Sequence, residues 1–190
     1  MSQRLGTMVR SGRSVAVLFA CLGALSSAFG DDLSTDDRIF RLCNELNQAT
    51  FDGHPERALA LTYPKLVAVA GRDNVLAALK ASAAGGPDFQ PLGIRCEPPA
   101  QHSSAAGLDF ALVPMMTRAR VADGTLLSPG HYLVISDNAG ASWTFLYLKA
   151  GVTIDKLKFL FPDGIGAMPL PADQKPIFIP SRPDAAASAP

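Results

Sequence analysis

The spacing of apolar residues predicts that the folded part of the chain begins with helices. From Ser34 or Thr35 onward, Ile39, Cys43 and Leu46 recur with the period of one buried helix stripe. The two acidic residues that follow Thr35 suit the positive end of a helix dipole. We therefore expect a first helix whose Cys43 side chain points into the protein.

Proline and glycine divide the next segment into short helices. Pro55 suits the first turn of a second helix, and Pro64 must end or bend that helix. A further apolar turn covers residues 65–70, and Asp73 is then expected to cap a helix that stops at Gly85. Four helical segments are thus predicted before the pattern changes.

From residue 89 the apolar period shortens to that of β-strands. Asp123-Gly124 is a strong hairpin signal, because this dipeptide adopts the tight turns that join antiparallel strands. The polar residues 101–106 are expected to form a loop, and Thr153 to cap a helix over residues 154–161. Strands are predicted over residues 89–97, 108–121, 126–135 and 143–148. Helices followed by antiparallel strands indicate an α+β domain with the helical layer packed on the sheet.

The first 30 residues have the pattern of a secretory signal peptide. Three arginines precede an apolar run at residues 15–25, and small residues follow the run. We expect cleavage between Gly30 and Asp31. The run is too short for a membrane anchor, which needs about 20 apolar residues. The alternative is a lipoprotein signal, in which Cys21 would carry the lipid.

Removal of the signal leaves a mildly acidic chain. The 17 basic residues lose the three arginines of the signal and become 14, against 17 acidic residues, which is a net charge of −3. Neither this charge nor the remaining apolar runs give a basis for binding nucleic acid or for spanning a membrane. We expect a periplasmic or secreted protein with one folded domain over residues 31–165. Residues 166–190 form a Pro/Ala-rich tail, whose last ten residues are expected to be disordered.

Cys43 and Cys96 are the two cysteines of this mature chain. In an exported protein two cysteines are expected to pair with each other. Closing a loop of some fifty residues would contribute about 4 kcal/mol to stability in the chain-entropy model. The alternative is a pair of buried free thiols.

Two further segments resemble a known family. Residues 61–67 (LTYPKLV), the following Gly71 and residues 138–145 (NAGASWTF) resemble secreted bacterial members of the nuclear transport factor 2-like superfamily. The likeness covers roughly residues 33–162. It implies a cone-shaped roll, in which N-terminal helices lie in the concave face of a strongly curved antiparallel sheet with a pocket between them. It implies no particular chemistry, because such cones serve as enzymes, binding modules and assembly domains.

Residues 136–143 (SDNAGASW) are similar to the Asp-box turn of sialidases and related propellers, with Asn138 in place of the motif's aspartate. A propeller would need several such boxes, and the chain has one. We interpret the segment as a hairpin turn tied by side-chain hydrogen bonds, with Trp143 packed beneath it.

The residues that could act on a substrate form no recognisable catalytic motif. His131, Asp109 and Tyr63 are the weak candidates for a catalytic base or acid, and Arg118 and Tyr147 are the other polar groups that could face a pocket. Each also has an ordinary explanation as a strand or packing residue. No motif has the spacing of a metal site, a nucleotide-binding loop or a nucleophile elbow, so we expect no metal and no cofactor.

Two classes of function remain open. The first is an exported binding or interaction module for an apolar small molecule or a protein partner, with a pocket lined by residues such as Met115, Leu133 and Phe145. The second is a small-molecule isomerase or lyase with His131 or Asp109 as its base. The missing catalytic motif favours the first. If side chains fill the pocket, the domain would instead serve in assembly, as a homodimer through the open sheet face.

Overall fold

The computed structural model describes residues 33–166 and 168–181. The predicted signal peptide, the cleavage site between Gly30 and Asp31 and the lipidation alternative at Cys21 lie outside the described residues. So does the predicted disordered tail beyond Ser181. In the described part of the chain, none of the helices has the length and apolar content needed to cross a bilayer.

The first helix, α1, spans Thr35–Phe51 and begins where the sequence predicts. The Ser34 side chain caps α1 by accepting a hydrogen bond of 3.1 Å from the backbone N–H of Asp37. Its buried stripe includes Ile39 and Cys43, both fully inaccessible to solvent. The amphipathic pattern therefore turns Cys43 toward the sheet.

Three shorter helices follow and lie around α1. They are α2 (Pro55–Ala60), α3 (Pro64–Ala70) and α4 (Arg72–Ala84). A proline occupies the first position of both α2 and α3, as expected for residues that break one helix and begin the next. The cap of α4 corrects the prediction, because Gly71 is the N-cap and Asp73 lies in the first turn. Gly71 has φ of 84°, a conformation that glycine adopts without strain, so α4 can begin directly where α3 ends.

In the residues that the structure describes, six strands form one open antiparallel sheet. They are β1 (Gln90–Cys96), β2 (Gln101–Ala105), β3 (Leu108–Val121), β4 (Gly124–Ser136), β5 (Thr144–Leu148) and β6 (Ile177–Pro180). The long β3–β4 hairpin is the centre of the sheet, and Val121 pairs with Gly124 beside its turn, as the Asp123-Gly124 signal predicts. Near the turn the hairpin is flanked by β1 and β6, and near its open end by β2 and β5.

Two of these strands differ from the sequence-based expectations. β2 takes the place of the loop predicted over residues 101–106, and its Gln101 lies opposite Leu112 of β3. β6 extends the sheet beyond residue 165, into the segment predicted to be a tail. Both strands lie at the margin of the sheet, where backbone hydrogen bonds hold a strand whose side chains are largely exposed. β2 is mostly polar and gave no strand signal, whereas the apolar run of β6 is short and lies within a Pro/Ala-rich segment.

Each face of the sheet has its own core, because successive side chains of a strand point to opposite faces. The face toward α1, here called the helix face, buries Val113, Tyr132 and Phe145. The other face, here called the opposite face, buries Phe110 and Leu133. The two cores share the same central strands but not the same residues.

A C-terminal segment closes the opposite face. It begins with α5 (Ile154–Leu157), which ends four residues before the predicted Phe161. The Phe161 ring meets Phe110 edge-on at a centroid distance of 5.4 Å and stacks on Tyr63 at 5.2 Å. Because this segment covers the middle of the opposite face, the described residues leave no open sheet surface there. The homodimer through an open sheet face stays a prediction.

The disulfide joins Cys43 of α1 to Cys96 at the end of β1, which confirms the predicted pairing over that of two free thiols. The bond spans 53 residues of sequence. A loop of that length corresponds to about 4 kcal/mol of stabilisation through the reduced entropy of the unfolded chain. The disulfide thus fixes the helical layer to the sheet at one point of the helix face.

The outer margin of β5 is covered by the link between α2 and α3. The Tyr63 N–H donates to the Phe145 carbonyl at 2.9 Å, and the Phe145 N–H donates to the Leu61 carbonyl at 2.8 Å. These bonds form a short parallel bridge at Thr62. The bridge places Leu61 against the helix-face core and Tyr63 in the opposite core.

Candidate functional site: an apolar cavity between the helices and the sheet

A cavity of about 420 Å³ lies between the helical layer and the helix face of the sheet. The helices that border it are α1, α3 and α4, and the strands are β1, β3, β4 and β5. Its apolar lining includes Leu46, Phe51, Leu79, Phe89, Met115 and Phe145. Its polar lining consists of Thr50, Thr62, Ser82, Thr117, Tyr132 and Tyr147. A concave apolar site of this size with a few polar groups is typical of small-molecule pockets.

The register of the sheet brings the aromatic wall of the cavity together. Tyr132 of β4 lies opposite Tyr147 of β5, and their ring centroids are 6.0 Å apart. Tyr132 also meets the Phe145 ring edge-on at 5.8 Å. Tyr132 is 8 % exposed, whereas Tyr147 is 53 % exposed. The wall therefore runs from a buried tyrosine to one that is open to solvent.

The polar atoms of the cavity mostly bond to the protein itself. Hydroxyls donate from Thr50 to the Leu46 carbonyl at 2.8 Å and from Thr62 to the Ala58 carbonyl at 3.0 Å. The Ser82 hydroxyl likewise donates to its own helix at 2.8 Å. These back-bonds keep the hydroxyl groups compatible with a helix or helix end that faces an apolar space.

Tyr132 belongs to a buried network that reaches the disulfide. Its hydroxyl donates to Oδ1 of Asn47 at 3.0 Å, and Nδ2 of Asn47 donates to Sγ of Cys96 at 3.1 Å. Asn47 is 4 % exposed, so both ends of its amide need these partners. Burial, with a smaller effect of the nearby Tyr147, raises the pKa of Tyr132 far above its ordinary value. The hydroxyl therefore stays neutral at physiological pH.

None of the described residues that line the cavity is Asp, Glu, Lys, Arg or His. The catalytic candidates from the sequence lie elsewhere. Asp109 borders a separate depression and accepts a hydrogen bond of 2.6 Å from Ser104. Tyr63 is stacked in the opposite core, where burial and, to a lesser extent, Asp137 raise its pKa. The structure thus does not bring these candidates together.

His131 and Arg118 also lie outside the cavity. His131 borders a small hollow of about 50 Å³ beside Lys149 and Asp173. Partial burial lowers the pKa of His131, which favours its neutral form. Arg118 is exposed on β3, next in sequence to the lining residue Thr117 and so on the other face of the strand.

Of the three predicted lining residues, Met115 and Phe145 border the cavity and Leu133 does not. Leu133 is fully buried in the opposite core, because it follows Tyr132 on β4 and points the other way. Sequence reasoning missed Tyr132, although the hairpin register contains the signal. Counting outward from the Val121–Gly124 pair places Tyr132 opposite Val113, two residues from Met115 and on its face.

The turn between β4 and β5 has the tied structure predicted for the Asp-box-like segment. Oδ1 of Asn138 accepts a hydrogen bond of 2.9 Å from the Ser142 N–H, and the Ser136 hydroxyl accepts one of 2.9 Å from the Gly140 N–H. Gly140 has φ of 81°, and the preceding Ala139 also has a positive φ. Trp143 is buried in the helix-face core. The segment therefore acts as a structural turn beside β5.

The described residues contain no group of three or more His, Cys, Asp or Glu side chains placed to hold a metal ion. Comparisons of the chain with models of known families, with curated proteins and with solved structures found no match.

Proposed function

We propose that this protein is an exported binding module that holds an apolar small molecule between its helices and its sheet. The observation that carries the proposal is the cavity of about 420 Å³ with an apolar and uncharged lining. Transfer of apolar surface from water into such a site is favourable by roughly 25 cal/mol per Å². Side chains leave this cavity unfilled, so a ligand can bury its own apolar surface there.

The absence of an ionisable base among the lining residues favours binding over catalysis. An isomerase or lyase in this site would need a carboxylate or imidazole within reach of the substrate. Tyrosine is the only ionisable type in the lining, and Tyr132 holds its proton in a bond to Asn47. The geometry therefore supports a module that retains a molecule without converting it.

Export is the second part of the proposal. The basic and apolar pattern of residues 1–30 and the disulfide between Cys43 and Cys96 both suit an oxidising compartment outside the cytoplasm. We propose that cleavage occurs after Gly30 and that the mature protein is periplasmic or secreted. N-terminal sequencing of protein purified from a bacterial periplasm would identify the first residue, and a chain that still starts at Met1 would contradict export.

We further propose that the domain has the cone-shaped roll of the nuclear transport factor 2-like superfamily. The support is the order of the elements, with four helices before the sheet, and the position of the helical layer on one face of a long hairpin. In that arrangement the helix face would be the concave face of a curved sheet. A crystal structure with the sheet flat across β1 to β5 would contradict this part.

The uncharged fluorescent probe N-phenyl-1-naphthylamine tests the cavity directly. Its emission rises when it leaves water for an apolar site, so a titration gives a dissociation constant. Ala77 and Ala78 are both exposed residues of α4, but Ala78 lines the cavity and Ala77 does not. We expect Ala78→Phe to weaken probe binding at least tenfold, because the ring occupies the ligand's space, and Ala77→Phe to leave it unchanged. Equal effects of the two variants would contradict the site.

A further inference from the structure

The hydrogen-bonding state of the cavity's hydroxyl groups limits what can bind there. A hydroxyl has one proton to donate and two lone pairs that accept. The protons of Thr50, Thr62 and Tyr132 are already donated to protein oxygens. These three groups therefore offer a ligand only their lone pairs, and a ligand that bonds to one of them must supply the proton.

Tyr132 is the best placed of these acceptors. Its oxygen lies in the buried part of the aromatic wall, and its proton is fixed on Oδ1 of Asn47. Asn47 cannot turn its amide to release that proton without losing the bond from Nδ2 to the disulfide sulfur. The Tyr132 oxygen is therefore a fixed acceptor in the buried part of a mostly apolar lining.

The lining also has no charge with which to hold an ionic ligand. Moving an ionised carboxylate or ammonium out of water without a partner costs several kcal/mol or more. No described residue of the lining is a cation or an anion that could provide such a partner. A charged head group would have to remain in water outside the cavity.

The volume of the cavity limits how much of a ligand can be buried in it. If each heavy atom takes the roughly 30 Å³ that a water molecule takes in the liquid, about 420 Å³ holds roughly 14 heavy atoms. This is the size of a single medium-length hydrocarbon chain with one small polar group. It is too small for a whole phospholipid.

From these observations we infer that the ligand is an uncharged single-chain amphiphile with a terminal hydroxyl, of the fatty-alcohol class, whose hydroxyl proton is donated to Tyr132. The inference rests on the proposed function and names the chemistry of its ligand. The Thr117 hydroxyl, which has no hydrogen-bond partner among the described residues, also lines the cavity and is a donor that a ligand oxygen could accept from. An alcohol can form a bond with either kind of group.

Three matched ligands test the inference by isothermal titration of the purified, disulfide-bonded protein at pH 8. They are 1-decanol, its isomer 1-methoxynonane, which can accept but not donate, and the decanoate anion. We expect 1-decanol to bind roughly three- to tenfold more tightly than the ether, as for one net hydrogen bond. We expect decanoate to bind at least tenfold more weakly than 1-decanol. Decanoate binding as tightly as 1-decanol, or the ether doing so, would overturn the inference.

The variant Tyr132→Phe locates the acceptor. It should lower the affinity for 1-decanol to that for the ether and leave the ether unchanged. Tyr63→Phe is the control, because it makes the same change at a tyrosine that is buried in the opposite core and does not line the cavity. A retained preference for the alcohol in folded Tyr132→Phe overturns the role of Tyr132. Should that variant not fold, the three-ligand series on the unaltered chain still decides the ligand class.

The probe and the alcohol separate failure of the inference from failure of the proposed function. Binding of N-phenyl-1-naphthylamine without binding of 1-decanol would overturn the inference and leave the apolar site in place. Absence of binding by the probe and by all three ligands would overturn both.

Discussion

The two faces of the sheet use the same strands in different ways. On the opposite face a single segment with α5 lies directly on the strands, and Phe161 fills the space between Tyr63 and Phe110. On the helix face, α1, α3 and α4 border a cavity of about 420 Å³ that lies beside the core of that face. One face is therefore packed throughout, whereas the other has both a packed core and an empty volume. Along one strand, residues that point to the opposite face should therefore affect mainly stability. The residues between them, which point to the helix face, should affect binding.

The largest effect is expected from removing the disulfide, which fixes the helical layer of the helix face. The double variant Cys43→Ala, Cys96→Ala should lose about 4 kcal/mol of unfolding free energy in urea, because the unfolded chain gains freedom. Reducing agent should destabilise the unaltered protein by a similar amount and leave the double variant unchanged. A loss below about 1 kcal/mol would contradict the importance of this link.

A comparison of two leucines tests the packed face against the hollow one. Leu133→Ala leaves a new void in the opposite core and should cost about 3 kcal/mol. Leu79→Ala only enlarges an existing cavity, from a side chain that is partly exposed, and should cost about 1 kcal/mol. Urea unfolding measures both. Ligand affinity should fall for Leu79→Ala and not for Leu133→Ala. A larger loss of stability in Leu79→Ala, or a larger loss of affinity in Leu133→Ala, would contradict the comparison.

The turn beside β5 should affect stability without affecting the cavity. Asn138→Ala removes the acceptor for the Ser142 N–H and should cost about 1 kcal/mol, because a tied turn loses its side-chain bonds. Asp137→Ala, in the same exposed turn, is the control and should lie within about 0.5 kcal/mol of the unaltered protein. Probe affinity should not change in either variant. A large loss of probe binding would mean that the turn shapes the site.

The smallest effect concerns pH and His131. Its folded pKa is lowered by burial, so the unfolded chain binds a proton more readily and the unfolding free energy falls as pH drops below about 6.5. We expect this slope to be shallow, because His131 is partly exposed, and to disappear in His131→Gln. Urea unfolding at pH 5 and pH 7.5 measures it. Ligand affinity should be the same at both pH values, since His131 does not line the cavity.

The first helix and the central hairpin of the sheet could be predicted from the sequence. The stripe containing Ile39 and Cys43 predicted α1, and the alternation of residues 108–121 with the Asp123-Gly124 turn predicted the central hairpin. β2 was not predicted, because its residues are mostly polar and backbone bonds alone hold it to β3. β6 was not predicted, because its short apolar run lies within a segment rich in proline and alanine.

The site was less predictable than the fold. Met115 and Phe145 were found because large apolar strand residues generally face a core, but the same reasoning selected Leu133, which faces the other core. Choosing between the two faces requires the register, since a shift of one residue exchanges them. The size of the cavity depends on the distance between the helices and the sheet, and no short segment of sequence determines that distance.

The bridge between residues 61–63 and β5 also affects whether a second chain can add a strand to the sheet. An exposed strand margin invites pairing with another chain, and this one is already occupied by backbone bonds between Tyr63 and Phe145. A second outer strand, β1, contains Pro91 and an irregular register between Pro91 and Gly93, both of which hinder a straight partner from adding. These two margins therefore resist the addition of a further strand. At a third margin, β6 exposes Ile177, Phe178 and Ile179 and is the place where another chain would add most readily.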